Sequence, residues 1–589
     1  MAKSKSVSQE KDKFVEHVVE EYKRYAGYHT DRFDEARKIV KQWQNEPPKR
    51  EHDWQNAVAV PLMVEGEQTV TPRLFTALFP TDAPLDVQVE GDRPEEQGVR
   101  IKSIIQHFFR VADVQGECIP ALTQNTLLGT GYLEGGSWFI KKGWQTGATG
   151  TRYLATVEAR PTCSWISFFE MYPHPAKRRM NDGLPIIRKR FIDAEALKKL
   201  TTDSSFNAEK LAEALKTDPP EGGDNAYDER KEKQYEVLDY FGPWDEAIYA
   251  DGKQQVRQAV QWWGIVINQK VKIRSMPNPY NHQMPPYCRT KLFEDPESSW
   301  FGVGIGTIGR ATQERTNKIV NQRLDNVDLV LNKQGFYNGN DNLINTKKLQ
   351  VSRPGQWHKC ADTVTSVRWM DTPDVTASSY KEEELAKQDF REATGAIANL
   401  MPEVGSEHRT AMGIQLLQGA AGMRFRPVLR RLEIDLIQQL AMFFFSNLKQ
   451  FMTDAQWVQI TGKQGQVEPI QITPEELQQK VFFIPTGISE TMNKETTVGQ
   501  LIRFKEITMQ DPTVNRQEIN KRIAELMGFK DIQKLMTPIK TPQGGLSPDQ
   551  QMQIQQRLGE GASPQDIKRE MLGEVPPGQY GEQNGQQPQ

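Results

Sequence analysis

Apolar residues recur every three to four positions over much of this chain, with alternating, strand-like runs between the helical stretches. Residues 9–44 read as helix, with Phe14, Val18, Val19, Tyr22 and Tyr25 on one side and charges between them. Asp31 is expected to begin a second helical run, DRFDEARKIVKQW, that stops before Pro47-Pro48. The apolar segment NAVAVPLMVEG and a helix across Thr71 to Leu78 follow, then an amphipathic helix over 93–111. His107 sits among the aromatics of that helix and reads as a packed residue. In CIPALTQNTLLGTGYLEGGSWFI a helix ends at Gly129, and Gly129-Thr130-Gly131 turns into the strand-like YLEGGSWFI. SWISFFEMYPHPAK runs from strand into a turn at Pro173 and Pro175.

After a polar loop over 218–232, YEVLDYFGPW, QAVQWWGIVINQKVKIRS and YCRTKLFED read as antiparallel strands, with hairpin chemistry at Asn268-Gln269. A strong helix is expected from Ile305 to Leu331. Its stripe is Ile308, Ala311, Ile319, Leu324, Val327 and Leu331, with Gly335 as a cap. Short strands around Pro354-Gly355 and at SVRWMD precede a helix over 381–393. A long helical run from Thr410 to Phe451 is interrupted by Pro427, which starts, kinks or breaks it. The stretches WVQITGKQGQVEPIQIT and KVFFIPTG are β-rich, and helices return over 495–508 and 516–527. In the tail, Ser547-Pro548 and Ser563-Pro564 suit helix starts, and the last residues, PPGQYGEQNGQQPQ, have almost nothing to bury. The fold class is α+β.

With 589 residues, two to four structural units are expected rather than one core. Apolar residues make up 37% and charged residues 26%, a balance that suits a globular protein with much polar surface. The longest apolar stretch, Leu440 to Leu448, is about half of what a bilayer requires. The charged N-terminus lacks a secretory core, so a reducing cytoplasm is the expected place of synthesis. Cys118, Cys163, Cys288 and Cys360 are scattered without metal-ligand spacing and read as buried thiols. The net charge of −3, from 74 basic and 77 acidic residues, lacks the basic excess of a protein that grips duplex DNA. Lys177-Arg178-Arg179 and Arg188-Lys189-Arg190 form a local basic cluster that reads as a solvated face.

Candidate catalytic chemistry is thin. Gly304-Ile305-Gly306-Thr307-Ile308-Gly309 is a literal GxGxxG opening a helix, the pattern of a dinucleotide-binding turn. The residues before it, EDPESSW, are not a buried strand, and Asp325 and Asp328 lie on the helix itself rather than on a second strand. Close strand-to-helix packing is the expected role of these glycines. His282 and His358 stand in proline-rich turns without an evident partner. No catalytic residue, metal ligand or cofactor is assigned.

The order of these elements over residues 10–530 resembles the portal (head-to-tail connector) proteins of tailed double-stranded DNA bacteriophages. The residues that carry the resemblance are DEARKIVKQW, LLGTGYLE, FFEMYPHPAK, the block YEVLDYFGPW…QWWGIVINQKVKI, and NPYNHQMPPY leading into FGVGIGTIGRATQERTNKIVNQRLDNV. EATGAIANLMPEV…RTAMGIQLLQGAAGMRFRPVLRRLEIDLIQQL completes the series. The resemblance implies a ring, twelve-membered in this family, built of wing, stem, clip and crown. Carried over, it implies a wing over 1–415, a first stem helix over 416–452, a clip over 453–490 and a second stem helix over 491–508. It places a tunnel loop at 509–515 (Met509, Gln510, Asp511, Pro512, Thr513), a wing helix at 516–530, and crown and tail at 531–589. Trp457, Lys463, Gln464 and Gln466 would then belong to the clip's docking surface.

The same resemblance implies a virion protein at the capsid's portal vertex, assembled in the host cytoplasm, through which DNA is packaged and ejected. Implied partners are other copies of the chain, the large terminase subunit, head–tail adaptor and tail proteins, and the major capsid and scaffolding proteins. Double-stranded DNA would pass without sequence specificity, and no membrane is involved. Stripes of the FRPVLRRLEIDLIQQL type are expected to pack one subunit on the next, and a near-neutral wall would let DNA slide. The alternatives are a nucleotide-binding enzyme using Gly304 to Gly309, or another structural component of the virion.

Overall fold

A computed structural model describes residues 12–526, apart from 81–83, 91–93, 147–151, 200–207, 219–233, 245–259, 396–424, 453–455, 462–466, 486–500, 509–515, single residues 299 and 506, and scattered positions between 333 and 375. The chain divides into two units, Met1–Thr497 and Val498–Gln589.

In the first unit, α1 (Lys13–Trp43) starts where the Asp12 carboxylate accepts the Phe14 N–H at 3.1 Å. Phe14, Val18, Tyr22, Tyr25, His29, Phe33, Ala36 and Ile39 are buried at steps of three and four along it. That stripe runs unbroken past Asp31, so the two helical runs expected here are one helix. The next helix, α2 (Leu62–Leu78), begins nine residues earlier than expected and contains Pro72. Burial of Leu62, Met63, Val70, Leu74 and Leu78 holds it together despite the hydrogen bond that the proline removes.

Beyond β1 (Leu85–Val89), α3 (Pro94–Val111) and α4 (Val114–Leu128) follow as read from the pattern. Gly129 ends α4 at φ +83°, its N–H returning to Asn125 O at 2.9 Å. The strand-like YLEGGSWFI is in fact divided. β2 (Thr130–Glu134) is the centre of a sheet, whereas β3 (Trp138–Thr146) pairs only with β4 (Arg152–Pro161) in a two-stranded ribbon. The short β5 (Ser164–Ile166) and β11 (Tyr287–Lys291) flank β2.

A five-stranded antiparallel sheet is built from β6 (Met171–Pro173), β7 (Ile186–Asp193), β8 (Gln234–Trp244), β9 (Val260–Ile267) and β10 (Val271–Pro277), in the order β10-β9-β8-β7-β6. The expected hairpin is there: Asn268 and Gln269 take φ of 48° and 56°, and the Lys270 N–H closes on Ile267 O at 3.0 Å. Short helices α5 (Ala194–Lys199) and α6 (Ala208–Ala214) cover one face with Leu197, Leu211 and Ala214. On another, Phe14, Phe168, Tyr240 and Phe241 join α1 to the sheets.

A helical hairpin and a buried helix follow in the first unit. Two short strands, β12 (Phe293–Glu294) and β13 (Gly302–Val303), lead into α7 (Ile305–Leu331). A ribbon of β14 (Gly335–Tyr337) and β15 (Val367–Trp369) connects it to α8 (Thr376–Thr394), which begins five residues earlier than expected. Asn332, not Gly335, caps α7, and Gly335 is the first residue of β14. Next, α9 (Arg426–Leu432), a π-helical segment (Glu433–Gln438) and α10 (Gln439–Phe451) form one continuous helical path that Pro427 starts. Phe425, Val428, Leu432, Leu436, Ile437, Leu440, Phe443, Phe444 and Leu448 all lie in the unit's own core. The expectation that this stripe packs against a neighbouring subunit is therefore corrected: Phe109, Phe483 and the α2–α4 face already occupy it.

The clip expected over 453–490 holds a hairpin of β16 (Gln456–Thr461) and β17 (Val467–Ile472). The third strand, β18 (Val481–Pro485), pairs antiparallel with β1 instead. In the second unit, residues 501–505 are helical and α11 spans Arg516–Leu526. Expectations for 219–232, Pro354-Gly355, His358, Cys360, Ser547-Pro548 and Ser563-Pro564 lie outside the described residues.

Candidate assembly surface

The α7 helix is amphipathic in an unexpected sense, because its buried side is polar. Gln313, Thr316 and Asn321 are buried there, while Val327 is 37% and Leu331 74% exposed, so the expected apolar stripe is not the packed face. The ladder Gln313, Asn317, Asn321 and Asp325, one residue every four, grips an extended strap at residues 56–61 and the start of α2. Asn56 N–H donates to Asp325 (2.7 Å), Val58 N–H to Asn321 (2.7 Å), Val60 N–H to Asn317 (2.8 Å) and Met63 N–H to Gln313 (3.2 Å). Asn321 also donates to Val58 O at 2.9 Å. The fit follows from geometry: four helical residues rise about 6 Å, and two extended residues span about 6.6 Å. Asp325, Asn321 and Asn317 therefore meet every second backbone N–H of the strap, and Gln313 meets the Met63 N–H in the first turn of α2.

The opposite side of α7 carries α8. Arg315 pairs with Glu382 (2.7 Å) and Asp389 (3.6 Å), and Arg323 pairs with Glu383 (2.6 Å) and lies over the Tyr380 ring at 4.3 Å. Arg323 and Lys387 hold the Glu383 carboxyl below its ordinary range, against a burial effect that pushes it up. At its base, α8 inserts Phe390 against Gly66 of α2 and Gly309 of α7. A β-carbon at Gly309 would collide with that ring. At Gly306 it would meet Ile39 and the Leu127 carbonyl. These contacts account for the GxGxxG run: its glycines seat α7 against α1, α4 and α8, and a strand of only two residues precedes it. A phosphate-binding turn would need a buried strand and a βαβ unit, and neither is present at this position.

At the far end of the hairpin the ribbon is bare. Phe336 is 65% and Tyr337 53% exposed, and Leu343, Val364 and Met370 in the same excursion are exposed too. A two-stranded ribbon of three paired residues gains little stability alone. Exposed apolar groups of this kind are candidates for a contact surface.

The basic cluster is not the solvated face expected of it. Lys177 is fully buried and donates to Asp182 Oδ1 (2.7 Å) and to Leu184 O (2.7 Å). Arg188 spans Glu134 (2.6 Å) and Glu170 (2.9 Å), Lys189 meets Glu236 (3.4 Å), and Arg190 meets Asp239 (3.0 Å). Burial lowers the Lys177 ammonium from its ordinary value, with Asp182 opposing. Arg178 and Arg179 alone of the six are exposed. The sequence shows the cations, but the acids that pair with Arg188, Lys189 and Arg190 come from distant strands and turns.

Cys118, Cys163 and Cys288 are free and buried, and burial pushes all three thiols up. His282 packs between Tyr280 and Phe443, while His107 is half-buried with its ring 5.2 Å from Phe108. No cluster of metal-ligating side chains and no helix long and apolar enough to cross a membrane occurs among the described residues. Of the expected docking residues, Trp457 lies on β16 opposite Gln471, while Lys463, Gln464 and Gln466 lie outside the described residues. So do Met509, Gln510, Asp511, Pro512 and Thr513 of the expected tunnel loop.

A family model described as "Phage SU10 portal protein" matches residues 183–562, well over half of the sequence. The chain belongs to this portal protein family. The family is structural rather than enzymatic, and it makes the chain a component of a phage particle. Its mixed helices and sheets agree with the α+β reading. No curated protein matches the sequence. Among solved structures, a chain of "Neck of empty GTA particle computed with C6 symmetry" aligns at 11% identity and a TM-score of 0.33, over 79% of this chain and 90% of that one.

Proposed function

We propose that this protein is the ring subunit at the unique vertex of a phage capsid, through which double-stranded DNA enters during packaging and leaves on ejection. The observation that carries the reading is the family match over 183–562, which spans the whole hairpin from α7 to α8. A closed ring arises when a head-to-tail interface repeats by rotation. The chain's near-neutral charge suits a wall along which DNA slides, because many phosphate contacts would hold the duplex by counterion release. Conduction in this reading is positioning without catalysis. ATP hydrolysis belongs to a separate terminase, and the family's partners are taken to be that motor, tail adaptors, capsid shell and scaffold.

Within the ring, we assign stem and clip to α7, the β14–β15 ribbon and α8 in preference to residues 416–508. The hairpin has the helix–ribbon–helix order, an open flank and a bare apolar tip, whereas α9 and α10 are consumed by their own core. With the stem placed there, 509–513 and Trp457 to Gln466 have no argued role in the tunnel or in docking.

Native mass spectrometry of the purified protein tests the reading. A single dominant species at a fixed high multiple of the subunit mass, unchanged by added nucleotide, is expected. Monomers at micromolar concentration would contradict the ring reading, and a nucleotide adduct of the folded wild-type protein would support the enzyme alternative instead.

A further inference from the structure

The α7–α8 hairpin has two unlike flanks. On one, a cleft of about 400 Å³ opens between the helices, lined by Lys318, Ile319, Gln322, Ser378 and Glu382. Leu385 is 52% exposed a turn beyond Glu382. On the other, Tyr380 lies over Arg323 with 60% of its surface exposed. Two residues of helix place Tyr380 about 160° around α8 from Glu382, so ring and cleft face away from each other. One helical turn after Tyr380 comes Glu384, an exposed acid with no ion pair among the described residues, and Lys318 at the cleft rim is an exposed cation with none among them.

Their levels along the hairpin match. Arg315 reaches Glu382 and Asp389, and Arg323 reaches Glu383 and Tyr380. These cross-links put Lys318 level with Glu384 and Gln322 level with Tyr380. For a hairpin running along a rotation axis, the two flanks of a head-to-tail interface must meet at one height. A protruding ring with an acid beyond it, and a cleft with a cation beside it, satisfy that condition.

We infer that the cleft of each subunit receives the α8 edge of a second copy of this chain: Tyr380 enters between Gln322 and Ser378, and Glu384 pairs with Lys318. The inference rests on the ring reading and identifies the surfaces that close the ring. It also accounts for why a helix end rich in hydroxyls, Thr376 to Ser379, faces a cleft rather than packing shut.

The test has two arms on the full chain. In the first, Lys318→Glu or Glu384→Lys raises the protein concentration for half-assembly about fivefold at low salt, and the double exchange returns it to within about twofold. In the second, the Gln322→Cys, Tyr380→Cys double variant is treated with a bismaleimide. It gives a ladder of covalent multimers in denaturing electrophoresis that the Gln322→Cys and Tyr380→Cys single variants, treated alike, do not give. A link within one subunit adds no multimer, so the ladder reports the contact between copies. Rings that assemble normally with either charge reversal and give no ladder would overturn the interface and leave the ring reading intact. Wild-type protein that forms no ring would overturn both.

Discussion

His282 shows how one side chain records its surroundings. Its ring stacks on Tyr280 at 5.1 Å and lies 4.6 Å from Phe443. The Met284 N–H donates to Nδ1 at 3.1 Å, which fixes the proton on Nε2, 3.5 Å from Gly136 O. Burial lowers the imidazole from 6.5 to about 4, against the Gly136 carbonyl, which raises it. Because the folded state binds this proton less readily than the unfolded chain, stability is full above pH 6.5. It falls as pH drops towards about 4, by on the order of 3 kcal/mol. Urea denaturation between pH 7 and 4 should show that slope, and His282→Gln should flatten it. An unchanged slope in the variant would assign the acid sensitivity elsewhere. The sequence placed His282 in a proline-rich turn, but Phe443 arrives from a helix far along the chain. Gly129 and the Asn268-Gln269 turn were legible because their requirements are local: a left-handed backbone at single positions. Lys177 and Arg188 were not, since a cation's neighbours decide whether it is solvated or buried.

At the level of elements, α3 was read to within a residue and the end of α4 at Gly129 was placed, whereas the two runs expected over 9–44 proved to be the single helix α1. Boundaries moved where burial outvoted local signals, as with Pro72 inside α2. The α7 face was misread for a physical reason: its partner is bare backbone, so the selected side chains are amides and a carboxylate. The spacing Gln313, Asn317, Asn321, Asp325 was visible, but that pattern announces a helix face only once an extended strap is known to lie on it. Asn321 both accepts from and donates to Val58, so it should dominate the attachment. Asn321→Ala is expected to cost about 1–3 kcal/mol. It should also speed hydrogen exchange at Val58 and Val60 and tryptic cleavage after Lys49 and Arg50. Unaltered exchange at those amides would show that the strap is held by other means. The π-helical segment between α9 and α10 has no counterpart in the sequence pattern, and the structure offers no cause for it beyond the packing of Leu436 and Ile437 in the core.

For the whole molecule, element order carried more information than any motif. The family match over 183–562 covers the strand block from β7 on, α7, α8 and the helices after them. Which helices remain available to other copies was not legible, because apolar content is the same for a helix buried in its own subunit and one buried between subunits. FRPVLRRLEIDLIQQL proved to be the former, and the polar hairpin of α7 and α8 has open flanks among the described residues. The most direct measurement is cryo-electron microscopy of the purified full-length protein, read from end-on class averages. Annular particles of one rotational order are predicted, with a central opening wide enough for a B-form duplex and lined by the hairpins. Compact monomers or dimers without an opening, at concentrations where the protein stays soluble, would contradict the account.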